Sequence, residues 1–563
     1  MPGPKPYQAM KKWEDILTAT ALLWALLLLN IHSGRFSFRL DLTEDRRYTM
    51  ADGTKHLLEG LDDVVYVEVY LDGELNAGFR RFREVIQETL EQFRAHAGER
   101  LQYRFIDPSD GPNPKAIARQ QQELAARGLP PTYLDEQVDG QRVQRVIFPG
   151  AIVSYRAKET PVLLLKSNKG MSAEEQLNQS AEGVEYALAS AIWELSAKAR
   201  RRIALLGGHS ELEGKHLADF QATLEARYRV DRVRIGQEPL EPYDAVVLVQ
   251  PKERFSDREV FLLDQYIVGG GKALLLLDKV QMNLDSIAKG GTYAFGYDLG
   301  LEDLLFRYGL RLNNDLIQDQ QAGLIEVVAG NFGDKAQVQR YPWPYYVYLN
   351  TFSKHPMVRN LGMVYAKFLG TIDTVSAPGV RKTPLIFTSP YTRVKPAPTM
   401  VDLNELKGEL RQPGIFNRQG LPVAYLLEGR FTSLYANQAL PEGVSGRKIL
   451  KEGESRIVVC SDADWVRSEI NPRTGQPEPI DFDRLGGQPT SNKDFALHAL
   501  AYLTGDSGLL EARKKELALR PLDRIRAKEE RLFWQVLNVG VPVAAVALFG
   551  AMYGYWRRRR YRG

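Results

Sequence analysis

The apolar run RRIALLGG ends in the loop Gly207-Gly208-His209-Ser210-Glu211, which gathers an imidazole, a hydroxyl and a carboxylate. Such a set could do general acid–base chemistry or contact a small ligand. Catalysis would also need a nucleophile or second carboxylate brought beside His209 by the fold. The next histidine, His216, is seven residues on and misses the i, i+4 spacing of a helical metal pair. A structural turn, a ligand contact and a hydrolase site are the three readings of this loop. The residues alone assign no catalytic side chain, no metal ligand and no cofactor. The turn GGGK, Gly269 to Lys272, raises phosphate binding. A G-x-x-x-x-G-K-[ST] loop would need Gly at position 266 and Ser or Thr at 273, where the chain has Tyr266 and Ala273. It would also follow a strand and open a helix; this turn follows a helical pattern and opens a strand, as a helix C-cap does. ATP hydrolysis by this polypeptide is therefore not expected. Cys460 is the only cysteine, which excludes an internal disulfide and any multi-cysteine zinc or iron–sulfur site. Within the apolar stretch VVCSD it reads as a small buried residue. Asp462 and Asp464 in SDAD lack the ligand series of a cation site and suit a capping role.

The elements that must position these residues read as α/β. VVYVEVYLDG (Val64 to Gly73), a periodic helix from Phe79 to Ala97, and LQYRFIDP give strand, helix, strand, hence a parallel pair. Two further strands, VQRVIFPGAIVSYR and TPVLLLK, complete an αβ domain of thioredoxin-like size without the redox Cys-x-x-Cys. A helix from about Ser180 to Lys198 leads into a doubly wound stretch. Its strands are RRIALLGG, YRVDRVRI, DAVVLVQP and KALLLLD, alternating with helices over HLADFQATLEARY and SDREVFLLDQYIV. Ligands of such sheets lie beyond the carboxyl ends of the strands, here Gly207 to Glu211, Pro251 to Glu253, and Asp278 to Val280. Residues 290–455 hold strand-like runs broken by Pro and Gly, in an order the sequence does not reveal. SRIVVCSDADWV is expected to rejoin the sheet, followed by a helix from Phe495 to Leu503.

A chain of 563 residues exceeds one core and calls for two or three domains. With 74 basic against 70 acidic residues, the charge balance gives little support to a nucleic-acid-binding surface. Trp534 to Trp556 is uncharged, aromatic at both ends and followed by RRRR, as a membrane-spanning helix would be. Gly550 and Gly554 within it form a G-x-x-x-G pair, which lets helices approach closely in lipid. Ile16 to Leu29 is a shorter apolar run, read as an uncleaved anchor in preference to a signal peptide. The expected order is a cytoplasmic N-terminus (1–12), an anchor (13–31), an αβ domain (32–175) and a doubly wound domain (176–505) with an insertion at about 290–455. A helical stem (506–533), a second span (534–556) and a basic cytoplasmic tail (557–563) follow. Two spans place residues 32–533 outside the cytoplasm.

RLDLTEDRRYT (Arg39 to Thr49), VEVYLDGELNAGFRRF (Val67 to Phe82), LLGGHSE (Leu205 to Glu211) and LVQPKERFSDREVFLLDQYIVGGGKALLLLD (Leu248 to Asp278) together resemble the GldG family of gliding-motility proteins. So do VVCSDADW, ALAYLTGD, RPLD and the tail WRRRRYR. The resemblance implies a non-catalytic auxiliary subunit of a Bacteroidetes inner-membrane ABC transporter with a large periplasmic region. Its partners would be a GldF-like permease and a GldA-like ATPase. It further implies a GIFT-type sheet domain related to class I glutamine amidotransferases, whose Cys–His pair is absent here, so no catalytic residue carries over. The alternatives are an extracytoplasmic carbohydrate or peptide receptor and a hydrolase using His209.

Overall fold

The computed structural model describes residues 50–560 apart from 139–140, 167–171, 197–200, 283–286, 288–290, 333–334, 407–413, 445–448, 473 and 506–529; before residue 50 it describes only Leu17, Thr20, Ala21 and Trp24. The first apolar run and the stem therefore lie essentially outside the described residues. The chain divides into two units, Met1–Glu516 and Leu517–Gly563.

The first unit begins with helix α1 (Asp52–Glu59), strand β1 (Val65–Val69), helix α2 (Ala77–Ala97) and strand β2 (Leu101–Phe105). α2 starts where the Asn76 side chain accepts from the Phe79 N–H, at 3.0 Å. Its apolar residues recur at helical spacing, so Phe79, Phe82, Ile86, Leu90 and Phe93 share one buried face. The crossover makes β1 and β2 parallel, as the strand–helix–strand pattern requires. Beyond them come helix α3 (Pro114–Ala126), the hairpin β3 (Thr132–Val138) and β4 (Gln141–Ile147), then β5 (Gly150–Tyr155) and β6 (Lys158–Leu163). VQRVIFPGAIVSYR is thus two strands, because Pro149 offers no N–H to a ladder. β4 pairs with β3, while β5 runs antiparallel to β1 in the sheet β2-β1-β5-β6. α4 (Ala173–Ser196) buries Ala181, Val184, Leu188 and Ile192 in this first core. It begins ahead of the expected Ser180, and it touches the second core through a Gln179 Nε2 hydrogen bond to the Leu361 carbonyl, 3.0 Å.

The second core is built on one large sheet. β7 (Arg202–Gly207), β8 (Arg229–Arg234), β9 (Ala245–Val249) and β10 (Lys272–Leu276) are parallel, with helices α5 (Ala218–Arg227) and α6 (Asp257–Val268) between them. Helix α7 (Glu302–Tyr308) follows, and then the strand-rich segment: β11 (Ala322–Phe332), β12 (Lys335–Leu349), β13 (Thr351–Phe352), β14 (Val364–Lys367), β15 (Val380–Phe387) and β16 (Pro422–Thr432). β17 (Glu452–Cys460) rejoins parallel to β10, as SRIVVCSDADWV suggested, and helix α8 (Asn492–Leu503) closes the unit. The sheet order is β13-β15-β16-β17-β10-β9-β7-β8.

Alternate residues of the parallel strands enter opposite layers, so both faces need cover. Ile203 and Leu205 pack with Phe220 of α5 and Phe495 of α8. Ala204 and Leu206 pack with Val260 and Leu263 of α6 and Leu304 of α7. The segment with no readable topology uses β13, β15 and β16 to extend this sheet antiparallel, and folds its other strands into two- and three-stranded sheets.

In the second unit a helical turn at Arg531–Gln535 opens into a π turn over Val536–Gly540 and then α9 (Val541–Arg560). Pro542 removes one helical donor and crowds the carbonyl four residues earlier, which accounts for the widened turn. The stretch Phe533–Trp556 is 24 residues long, and its 18-residue apolar centre has a mean hydropathy of 1.8 with none of it buried. At ~1.5 Å per residue it is long enough for a ~30 Å hydrocarbon layer.

Candidate functional site

The parallel strands end together, and the loops leaving them form one crest. β8 and β9 lie on opposite sides of β7, so the chain changes direction there, and a crevice is expected between the β7 and β9 loops. The structure closes that crevice with its own backbone. The His209 carbonyl accepts from the Lys252 and Glu253 N–H groups, at 2.8 and 3.1 Å, and the Leu212 N–H reaches the Val249 carbonyl at 3.2 Å. The Ser210 hydroxyl donates to Glu253 at 2.5 Å. Gly208 sits at φ +119°, which a side chain would resist, and Ser210 is held at φ +54°.

His209 itself is only 5% exposed. Its ring stacks on Phe255, with centroids 3.7 Å apart. Nε2 lies 3.3 Å from a Glu259 oxygen and Nδ1 lies 3.5 Å from Glu211 Oε1. The other Glu211 oxygen accepts from the His209 N–H at 2.8 Å. Glu259 belongs to the capping box of α6, in which Ser256 and Glu259 exchange hydrogen bonds. Burial works against its charge, but the Ser256 hydroxyl and N–H, then His209, hold the carboxyl below its ordinary value. The imidazole therefore clips the β7 loop to the start of α6, between two carboxylates.

Asp278 stands apart from this loop. Its carboxylate accepts from Gln250 Nε2 at 2.5 Å and from the Ala463 N–H at 2.8 Å, joining the loops after β9, β10 and β17. Gln250 reaches it from a left-handed backbone, φ +51°. Asp462 accepts from the Asp464 N–H at 2.7 Å and the Lys367 N–H at 2.8 Å, which fastens β14 to the crest. Arg467 sits 3.4 Å from Gln250 Oε1 and 3.6 Å from Asp464. Lys367 pairs with Glu469 and covers the Tyr346 ring at 4.7 Å. Burial pushes the Lys367 ammonium below its ordinary value despite Asp464 and Asp483 nearby.

A cleft of about 60 Å³ opens beside this network, lined by Lys367, Asp464, Arg467, Glu469, Phe482 and Asn492 among others. At ~30 Å³ per molecule it has room for about two waters. A larger groove, about 890 Å³, lies at the opposite pole, along the Gly269 to Lys272 turn, Tyr243 and Leu503. Neither is lined by His209 or Asp278. The glycine turn is the expected helix end: α6 stops at Val268, Gly270 takes φ +96° and β10 starts at Lys272. Among the described residues no group of three or more His, Cys, Asp or Glu is arranged to hold a metal ion.

The loop residues Gly207 to Glu211 thus share the crest with Asp278, whose hydrogen bonds go to Gln250 and Ala463 and not to that loop. Phe255, Glu259, Gln250, Lys367 and Arg467 had no sequence signal, except that Ser-x-x-Glu at 256–259 announced the capping box. Cys460 is fully buried at the end of β17, and burial, with Asp462 nearby, raises its thiol well above the usual range. Cys460→Ser is expected to lower stability by about 1–2 kcal/mol, a buried hydroxyl replacing an apolar contact, without loss of function. Thermal unfolding and a function assay on normally accumulating protein check this; lost function at full accumulation would implicate the thiol.

Residues 200–499, more than half of the chain, match the auxiliary family described as an ABC-type uncharacterized transport system. The chain belongs to this ABC transport auxiliary family. Residues 44–154 match a domain of unknown function, DUF7088. An uncharacterized protein of Borreliella burgdorferi is 22% identical over 462 residues, covering 79% of this chain and 83% of that protein. The N-terminal domain of mmIFT52 aligns over 54% of this chain and 97% of its own at 12% identity, with a TM-score of 0.30. The auxiliary family match spans both faces of the large sheet and the whole crest.

Proposed function

We propose that this chain is a membrane-anchored, non-catalytic auxiliary subunit of a bacterial ABC transporter, working with a GldF-like permease and a GldA-like ATPase in gliding motility or associated export. The family match over residues 200–499 carries the auxiliary role. The apolar helix Phe533–Trp556 supports the anchoring. The two-pass topology adds the first apolar run as a second anchor and puts the soluble region, an αβ domain followed by a GIFT-type sheet domain, in the periplasm. A scaffold rather than an enzyme is supported by the crest, where Ser210 bonds to Glu253, Asp278 to Gln250 and Ala463, and Asp462 to Lys367, each tying one loop to another. The receptor and hydrolase readings need His209 open to a ligand, and its side chain is stacked and enclosed.

In this reading the glycine face of α9 packs against the permease. A Cβ placed at Gly550 or Gly554 meets no atom within 4 Å, so the helix itself tolerates larger residues there. Gly550→Leu with Gly554→Leu is expected to reduce permease recovery several-fold, with insertion and the soluble fold unchanged. Unchanged recovery, in this variant and in a chain carrying an unrelated apolar span, would reduce α9 to a tether.

A further inference from the structure

The helix α9 does not stop where the apolar stretch stops. It continues from Trp556 through Arg557, Arg558, Arg559 and Arg560. Four consecutive helical residues turn by about 100° each, so these positions go right round the axis. A protein partner lies against one side of a helix and could meet only part of such a ring. The one anionic surface that surrounds a spanning helix on all sides is the layer of lipid headgroups. No acidic residue occurs from Arg531 to Gly563, while the opposite end of the span mixes signs in Glu529-Glu530-Arg531. Tyr553, Tyr555 and Trp556, all exposed, mark the interfacial level just before the arginines.

We propose that the arginine collar at Arg557–Arg560 binds the phosphates of anionic phospholipids, so that the helix carries acidic lipid on the sides that no protein covers. Guanidinium groups suit this partner because each can hold a phosphate through two parallel N–H donors. The inference rests on the membrane-spanning reading of Phe533–Trp556.

The test uses the full chain in vesicles of equal parts phosphatidylcholine and phosphatidylglycerol, extracted gently, with retained lipids counted by native mass spectrometry. Phosphatidylglycerol is expected to be retained over phosphatidylcholine by about tenfold, less at high salt. Replacing all four arginines by glutamine should abolish the preference; replacing them by lysine, which preserves charge and insertion, should keep most of it. Equal retention of the two lipids by the native chain, or an undiminished preference in the glutamine variant, overturns the proposal. So does loss of the preference on adding inorganic phosphate at constant ionic strength, which would mark a free-anion site. Loss of permease recovery in the glutamine variant with lipid preference intact would overturn it in favour of a protein contact. Carbonate extraction separates the two readings: a chain released by carbonate refutes the span and the collar together, whereas an inserted chain without preference refutes the collar alone.

Discussion

Asp264→Ala is expected to lower the stability of the chain by about 3–5 kcal/mol, a large loss for one side chain. Asp264 lies on α6 and is completely buried. One oxygen accepts from the Tyr308 hydroxyl at 2.8 Å and the Leu434 N–H at 2.9 Å; the other accepts from the Ser433 hydroxyl at 2.6 Å. A single carboxylate thus joins α6, α7 and the chain leaving β16; removing it takes the acceptor from two buried hydroxyls and from the half-buried Leu434 N–H and Gln265 amide. Each unsatisfied donor costs about 1–3 kcal/mol, and local rearrangement offsets part of the sum. Asp264→Asn keeps one acceptor oxygen and is expected to lose roughly half as much. Denaturant or thermal unfolding of the purified chain checks both. A loss below about 1 kcal/mol for the alanine variant would mean that water or repacking satisfies those donors, and that the joint is not a keystone of the second core.

The second large effect depends on pH. Asp278 has its carboxyl raised from its ordinary range to about 7. Burial is the main cause and Asp464 adds repulsion, while the Gln250 amide, the Ala463 N–H and Arg467 oppose them. A carboxyl whose folded value lies above its unfolded value favours the folded state most when protonated. That contribution is complete below about pH 4 and is lost as pH rises through about 7. At ~1.4 kcal/mol per unit the loss is on the order of 3 kcal/mol, allowing for the edge of Asp278 that still meets water. Asp462 shifts in the same direction, through burial first and then Asp464 and Asp278. Asp278→Asn is expected to flatten the pH profile between pH 5 and 8 and to raise the unfolding midpoint at pH 8 by several degrees. An asparagine variant that melts lower than the native chain at pH 8, with the slope unchanged, would show that Asp278 is held as a carboxylate by its donors and not strained by burial.

What the sequence disclosed and what it withheld divide by distance along the chain. α2 was legible because its buried residues repeat within the same helix. The burial of AVVLV in β9 followed from an unbroken apolar run, and the end of α6 from three glycines ahead of a strand. β17 could be read as a core strand, but not that β16 would lie antiparallel beside it, because no local pattern sets pairing between distant segments. Asn113-Pro114 is a local signal for the start of α3, where Asn113 caps and Pro114 takes the first turn. At the crest the loop carrying His209 was visible, and so was its place beyond β7. Its enclosure was not, since Phe255 and Glu259 arrive from after β9. Lys367 comes from the strand-rich segment, whose order was unreadable, so the Asp462–Lys367 link that ties it to the sheet had no trace in the sequence.

The proposed role of this chain is that of a non-catalytic auxiliary subunit of a membrane transporter. The most direct measurement is affinity purification of the tagged full chain from gently solubilised native membranes, with the recovered proteins identified and ATP hydrolysis measured on the complex and on the chain alone. A permease and a separate nucleotide-binding subunit are expected to co-purify with it, and hydrolysis to follow that second subunit. Recovery of the chain without transporter components, or ATP turnover by the isolated chain, would contradict the account.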